Sequence, residues 1–319
     1  MKPKKSTRAF FREARRVKGF SFFDLLHGYF YARWTYFYIA MGSGEHPLAK
    51  RLKPLVAWVG NWFVAKSNAS ALPNHIKFED TYHGKVLPLA AATRLVSVNE
   101  DICLGDLEQV IPYQKAREII LKNPDHIVVI DCPCRAAREH PCLPMDVCLI
   151  VGEPFASFVI EHQPKRSHWI TSLQAQQILE AEDQRGHVHH AFFKDAMLGR
   201  FYAICNCCTC CCAALHAQRN GTPMLASSGY IARVDQDLCL SCGNCEKICL
   251  FDAINVNLNA EVDEDKCMGC GLCVNQCQPG AIQLMRMESK SKPLEIQELI
   301  EAFRKSEAEN KSRSAINAN

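Results

Sequence analysis

The chain has 319 residues, 48% hydrophobic and 22% charged, with a formal net charge of +3, a globular composition long enough for two or three compact units. Nineteen cysteines would read as disulfides in a small secreted domain, but this chain is too long for that class. Its cysteine spacings are those of metal sites, which places it in a reducing, cytoplasmic compartment where thiolates stay available as ligands.

Residues 1–70 are basic, then aromatic. Lys2, Lys4, Lys5, Arg8, Arg12, Arg15, Arg16 and Lys18 face one acid, Glu13. Phe20–Met41 follows, dense in Phe, Tyr and Trp, and Leu55–Ala65 adds Trp58, Trp62 and Phe63. Asp24, His27 and Arg33 interrupt the first stretch, no small-residue cleavage site follows it, and neither stretch makes a span of ~20 apolar residues. Tyr and Trp favour the headgroup zone and a basic leader suits anionic lipid. An amphipathic helical segment lying on the inner face of the membrane is therefore expected. The alternative is an arm docked on a partner subunit. No nucleic-acid-binding fold accompanies the basic leader, so nucleic acid is not expected as a partner.

Residues 71–228 read as a cysteine-rich α/β domain. A helix is expected over about Tyr113–Lys122, with Pro112 at its start and Asn123-Pro124 stopping it. Ile127–Ile130, Cys148–Gly152 and Phe201–Ile204 are short apolar runs of buried-strand type. Thr171 or Ser172 can cap a helix over about Leu173–Gln184 that Gly186 ends. Strands alternating with helices suggest a mostly parallel sheet.

Cys132, Cys134, Cys142 and Cys148 follow or open the first two strands. Cys205, Cys207, Cys208, Cys210, Cys211 and Cys212 follow the last. The carboxyl ends of strands in an open α/β sheet share one edge, so the two groups are expected to meet there. Ten thiols at one edge are too many for packing and point to an additional metal centre. The alternative is a set of buried thiols with a redox disulfide or two, but adjacent cysteines such as Cys207-Cys208 rarely form unstrained disulfides. Arg135 and Arg138 either neutralise cluster charge or bind an anion, or are solvated surface residues. His187 and His189 share a face if extended and could serve metal or proton transfer. A polar loop beside the cluster edge is the plainer reading of that segment. Cys103 stands alone and reads as an inert buried thiol.

Residues 229–287 are an internal repeat without gaps. Val234–Cys239 aligns with Val262–Cys267, Gly243 with Gly271, and Ala253-Ile254 with Ala281-Ile282. Each half reads as strand, cysteine loop, helical turn and strand, and two halves are needed to enclose a core. The runs are Cys239-x2-Cys242-x2-Cys245-x3-Cys249 and Cys267-x2-Cys270-x2-Cys273-x3-Cys277. Three thiolates at this spacing wrap three irons of a cubane, and the fourth has turned away to meet the other cluster. Cluster I is thus expected on Cys239, Cys242, Cys245 and Cys277, and cluster II on Cys267, Cys270, Cys273 and Cys249. Zinc ribbons also use C-x2-C pairs, but zinc needs no crossed fourth cysteine.

On these motifs, under a fifth of the chain resembles a bacterial two-[4Fe–4S] ferredoxin. Leu250 stands after Cys249 where the family usually has proline, and Gln278 separates Cys277 from Pro279. The C-x-C-R run at Cys132–Arg135 and the CNCCxCCC run at Cys205–Cys212 resemble those of uncharacterised dicluster iron–sulfur proteins. Six or more cysteines could also hold an unusual cluster, as paired-cysteine motifs of heterodisulfide-reductase-type subunits do. An additional Fe–S cluster is the leading identity, because the same chain already needs cluster assembly.

Residues 288–319 form a tail, with Leu294, Ile296, Leu299, Ile300 and Phe303 at helical spacing before expected disorder. The fold class expected overall is α+β/α/β: the α/β domain, then a ferredoxin-like pseudo-twofold 2[4Fe–4S] domain, with the N-terminal helical segment. No G-x-G-x-x-G or G-x-x-x-x-G-K-[ST] run is present. The expected function is electron transfer to a redox partner protein from the membrane surface. A reductase with its reactive centre in the middle domain is the alternative, and a redox or iron sensor ranks last for want of a DNA-binding element.

Overall fold

The computed structural model describes residues 3–51, 78–105 and 107–317. The aromatic stretch Leu55–Ala65 lies outside the described residues. The strands in chain order are β1 (Tyr82–Leu87), β2 (Ile102–Leu104), β3 (Ile119–Leu121), β4 (Ile127–Asp131), β5 (Asp146–Val151), β6 (Ser167–Ile170), β7 (Val188–Lys194), β8 (Arg200–Cys207) and β9 (Leu225–Ala226). The C-terminal repeat adds β10 (Tyr230–Val234), β11 (Ile254–Val256), β12 (Ala260–Val262) and β13 (Ile282–Arg286).

Seven strands form one sheet in the order β6-β4-β5-β8-β7-β1-β9. Each adjacent pair is antiparallel except β1–β9, which corrects the mostly parallel sheet expected. The apolar runs reported burial on both faces, and burial does not specify direction. Val128 and Ile130 enter one core while Ile127 and Val129 enter the other. Neighbouring strands here join through turns, such as the one at Leu198-Gly199 where both residues have positive φ. The helix Ser172–Gln184 instead carries the chain from β6 at one edge across to β7.

That helix has the expected cap: the Thr171 side chain accepts from the Gln174 N–H, and Gly186 leaves it at φ +78°. The helix expected over 113–122 is absent. Ile119 and Leu121 are buried and Ile120 is not, a two-residue alternation, and β3 pairs with β2. Positive φ at Ala116 and Asn123 closes off a helix on both sides. Cys103 is exposed rather than buried, because Ile102 and Leu104 turn inward and the residue between them must turn out.

The N-terminal residues do not stand apart from the sheet, which corrects that expectation for residues 5–42. Helices Lys5–Ala14 and Phe22–Arg33 lie over the same face as the helix Phe155–His162. Phe10, Ala14, Tyr31 and Ala32 are buried in that face's core, and Tyr31 Oη meets Tyr202 Oη at 2.7 Å. Phe22, Phe23, Leu26 and Trp34 remain exposed. No helix among the described residues is long and apolar enough to cross a membrane. The opposite face carries the helices Leu89–Val96 and Ser172–Gln184 and, through buried Leu294 and Ile296, the start of the helix Ile296–Asn317. That last helix runs on to Asn317, further than the tail's polarity suggested.

In the repeat, β10 pairs with β13 and β11 with β12, and the helices Asn244–Ile248 and Leu272–Gln276 pack between them. The repeat abuts the sheet near the start of β7. Asn275 Nδ2 donates to Asp183 Oδ2 at 2.8 Å, and Ile248 lies against Gly186.

Candidate metal centres

β4 and β8 run in the same direction with antiparallel β5 between them. The end of β4, the start of β5 and the end of β8 therefore share one rim, and the two cysteine groups meet there despite the different sheet. Cys132 follows β4, and its N–H donates to Met145 O at 2.6 Å. Cys134 sits in the short helix Pro133–Ala136, and Cys148 on β5 faces Ile130. Cys205 and Cys207 lie two apart on β8, on the same side. Cys212 caps the helix Ala213–Arg219.

These six sulfurs form a chain of thiol contacts, Cys205–Cys148–Cys132–Cys134–Cys212–Cys207. They line one cavity together with Tyr31, Tyr82 and Tyr202. Hydrogen bonds from Cys134 and Cys148 hold Cys132 well below the usual thiol range. Its partners are pushed up: Cys134 and Cys148 chiefly because they donate to Cys132, with burial adding. At Cys207 the Cys212 hydrogen bond pulls down most strongly, but burial together with charge on Cys205, Cys134 and Cys132 pushes the thiol up to about 12. The thiols raised in this way ionise readily only against a strong local positive charge, which a metal centre would supply.

Of the other four cysteines, Cys208 and Cys211 also line this cavity, and Cys142 and Cys210 gather beside it. The sulfurs of Cys142, Cys208 and Cys210 all lie within 4.8 Å of one another. Cys211 Sγ lies 3.5 Å from Cys210 Sγ and accepts from the Cys142 N–H at 3.5 Å.

Beneath both groups runs a buried polar network. Arg135 is fully buried, which corrects the surface-arginine alternative. It donates to Glu182 Oε2 at 2.6 Å, to Asn206 O at 3.3 Å and to Pro144 O. His187 Nδ1–H donates to the same Glu182 oxygen at 2.7 Å, and its Nε2 lies 3.7 Å from Cys142 Sγ. Burial by itself would raise the Glu182 carboxyl, but hydrogen bonds from His187 and Arg135 bring it below the usual range. His189 Nδ1 meets Asn206 Oδ1 at 2.6 Å, and Asn206 Nδ2 donates to Val147 O at 2.7 Å. The segment 188–194 is a wholly buried central strand and not the polar loop expected: His189 Nδ1 is met by Asn206, and burial keeps His190 a neutral imidazole, its pKa lowered to about 3. Arg138 stays partly open, bonded to Glu45, His216 Nδ1 and Cys211 O.

Sequence reasoning overlooked Glu182 and Tyr31. Ala175, Leu179 and Glu182 sit at i, i+4 and i+7 on one buried helix face, so the signal for Glu182 was present. Tyr31 was hidden in a stretch read as an outside surface.

In the repeat, one cavity is lined by Cys239, Cys242, Cys245 and Cys277, and a second by Cys249, Cys267, Cys270 and Cys273. The fourth cysteine of each run thus lies with the other run's three. Gly243 and Gly271 open the two short helices at φ +76° and +87°, where a β-carbon is strained. Backbone N–H groups point at sulfur: Ala232 N to Cys267 Sγ at 3.4 Å and Ala253 N to Cys249 Sγ at 3.3 Å. Eight free thiols in two crossed sets with N–H donors fit two cubane clusters. Residues 231–254 and 260–283 match two family models, each described as a 4Fe–4S binding domain. Residues 231–283 are a ferredoxin-like dicluster module. Its presence gives the protein an iron–sulfur electron-transfer role. No curated protein matches the chain. The ferredoxin module turns its second set toward the sheet, where Met268 and Cys270 pack on the core that holds Cys132 and Cys212. Its first set faces outward, with Cys242, Leu240 and Leu258 exposed.

Proposed function

We propose that the protein relays electrons between a redox partner at the exposed end of the ferredoxin module and an additional iron–sulfur centre in the middle domain. Cys239, Cys242, Cys245 and Cys277 would hold cluster I, Cys267, Cys270, Cys273 and Cys249 cluster II, and Cys132, Cys134, Cys148, Cys205, Cys207 and Cys212 the additional cluster. Bound there, the clusters would supply one-electron carriers, and the order of the ligand sets from surface to interior would set the path, with the reduction potentials setting the direction of travel. The residues around them exclude water. Tyr31, Tyr82 and Tyr202 stay neutral phenols because burial raises each of them, and they seal the cavity's inner wall. Arg135 brings a fixed positive charge beside Cys132.

The observation that carries this reading is the contiguous set of six thiols packed on the same core as the ferredoxin module's second set. The exposed aromatics of the helix Phe22–Arg33, with Trp34, support peripheral attachment to the cytoplasmic membrane face or to a membrane partner. Iron and acid-labile sulfide on anaerobically purified protein test the proposal. About eight irons per chain belong to the ferredoxin module and about twelve or more are expected in all. A firm eight with an intact sheet domain would make the six thiols structural.

One observation favours a second reading, a reductase. A neighbouring cavity shares Tyr31, Tyr82 and Ala214 with the thiol cavity and is lined by Lys194, Arg138 and His216. Lys194 Nζ sits 5.1 Å from the rings of Tyr31 and Tyr82 and 5.7 Å from Tyr38. Cationic groups beside a redox centre suit a small anionic oxidant. Steady-state oxidation of reduced protein by such anions, abolished by Arg138→Ala, would favour it over a relay.

A further inference from the structure

We infer that the ten cysteines of the middle domain serve two centres, and that Cys142, Cys208, Cys210 and His187 form a separate mononuclear site for a zinc-class divalent ion. Spacing makes the division. Among the described residues, Cys142, Cys208 and Cys210 are the only group of three or more potential ligands whose donor atoms lie within 4.8 Å of one another. Neither cysteine set of the ferredoxin module gathers that closely, as befits sulfurs that bind separate irons of a cubane. Sulfurs this close can share a single ion.

His187 stands just outside that 4.8 Å group and reaches it through Cys142, so it supplies the fourth ligand once the imidazole closes on the ion. Glu182 accepts the His187 Nδ1–H at 2.7 Å, which fixes the tautomer and leaves the Nε2 lone pair directed at Cys142. A carboxylate behind a histidine is the usual support of a metal-ligating imidazole. With metal–sulfur bonds of about 2.3 Å and metal–nitrogen bonds of about 2.0–2.1 Å, the sulfur-to-nitrogen edge of a tetrahedron is about 3.6 Å. The distance from Cys142 Sγ to His187 Nε2 is 3.7 Å. Three thiolates and one imidazole are a closed, structural donor set for zinc.

The position gives the ion a task. Cys142 belongs to the long β4–β5 connection and Cys208 and Cys210 to the turn after β8, so one ion clasps both segments at the rim of the six-thiol cavity. Cys208 itself lines that cavity, so the ion would border the additional centre, and Cys211 in the same turn lines it too and takes the Cys142 N–H.

The test uses full-length protein purified anaerobically, with zinc and iron counted together and zinc K-edge absorption recorded. About one zinc per chain is expected, in a shell of three sulfurs and one nitrogen. His187→Ala and Cys210→Ser should each lower zinc at least fivefold at unchanged iron. Cys210 is exposed, so its substitution leaves the fold intact. Zinc absent from the parent protein, a four-sulfur shell, or loss of iron rather than zinc in these variants would each overturn the inference. The iron tally reports separately on the additional cluster, so either idea can fail without the other.

Discussion

Arg135 and Glu182 show how a buried charge is tolerated in this core. Both side chains are essentially inaccessible and meet at 2.6 Å. Replacing Arg135 by Leu leaves the buried carboxylate with His187 and the half-exposed Arg185 as its remaining partners, which should cost about 3 kcal/mol in chemical unfolding under anaerobic conditions. An unchanged midpoint would contradict the pairing. Lys194 carries a different signature. Burial lowers its pKa to about 8, with Asp195 opposing. The unfolded chain keeps that proton to about pH 10.4. Between these values the unfolded state binds more protons, so stability rises with pH. Lys194→Met should flatten that rise by up to about 1.4 kcal/mol per pH unit relative to the parent, as read from denaturant midpoints across the window.

Among the elements, the helix Phe22–Arg33 has two faces with separable tasks. Gly28 lies so close to the chain that an added Cβ would sit 2.1 Å from Ala196 O. Gly28→Ala should therefore push the helix off the sheet and lower stability by about 1–3 kcal/mol. Phe22 and Phe23 are 72% and 79% exposed and touch no core cluster. Substituting both by Ser should leave the melting temperature within a degree or two while weakening binding to anionic vesicles. Cosedimentation equal to the parent's would remove the membrane from consideration for this surface. Salt should weaken but not abolish the parent's binding, since the basic leader is screened and the aromatic contact is not. Deleting residues 1–66 is the poorer experiment, because Phe10 and Tyr31 would leave the core with them.

The whole molecule is arranged around one rim of the sheet, onto which the ferredoxin module packs its second cysteine set. Crossed ligation follows from the two cavities. Cys249→Ala should damage the cluster associated with Cys267, Cys270 and Cys273, and Cys277→Ala the cluster associated with Cys239, Cys242 and Cys245. EPR of the reduced variants distinguishes them: the magnetic coupling between clusters should vanish in both, with a different cluster surviving in each. Damage confined to the run carrying the mutation would contradict the arrangement.

The ferredoxin module was legible in the sequence because its ligands lie at short, local spacings that only a few metal sites use. The helix Ser172–Gln184 was legible for the same reason, with cap and stop written within one turn of its ends. Strand direction was not, since Ile127–Asp131 and Asp146–Val151 report burial on both faces and burial is indifferent to direction. Nor could a string of residues show that Phe10 and Tyr31 belong to the core, because an apolar side chain bound for a core and one bound for a surface look alike until a partner covers it. Only the tertiary structure linked six of the ten middle cysteines into an inner chain and brought Cys142, Cys208 and Cys210 together beside it. Cys207 and Cys208 both line the inner cavity, yet Cys208 also lies within 4.8 Å of Cys142 and Cys210, a meeting of distant segments that no spacing along the chain encodes.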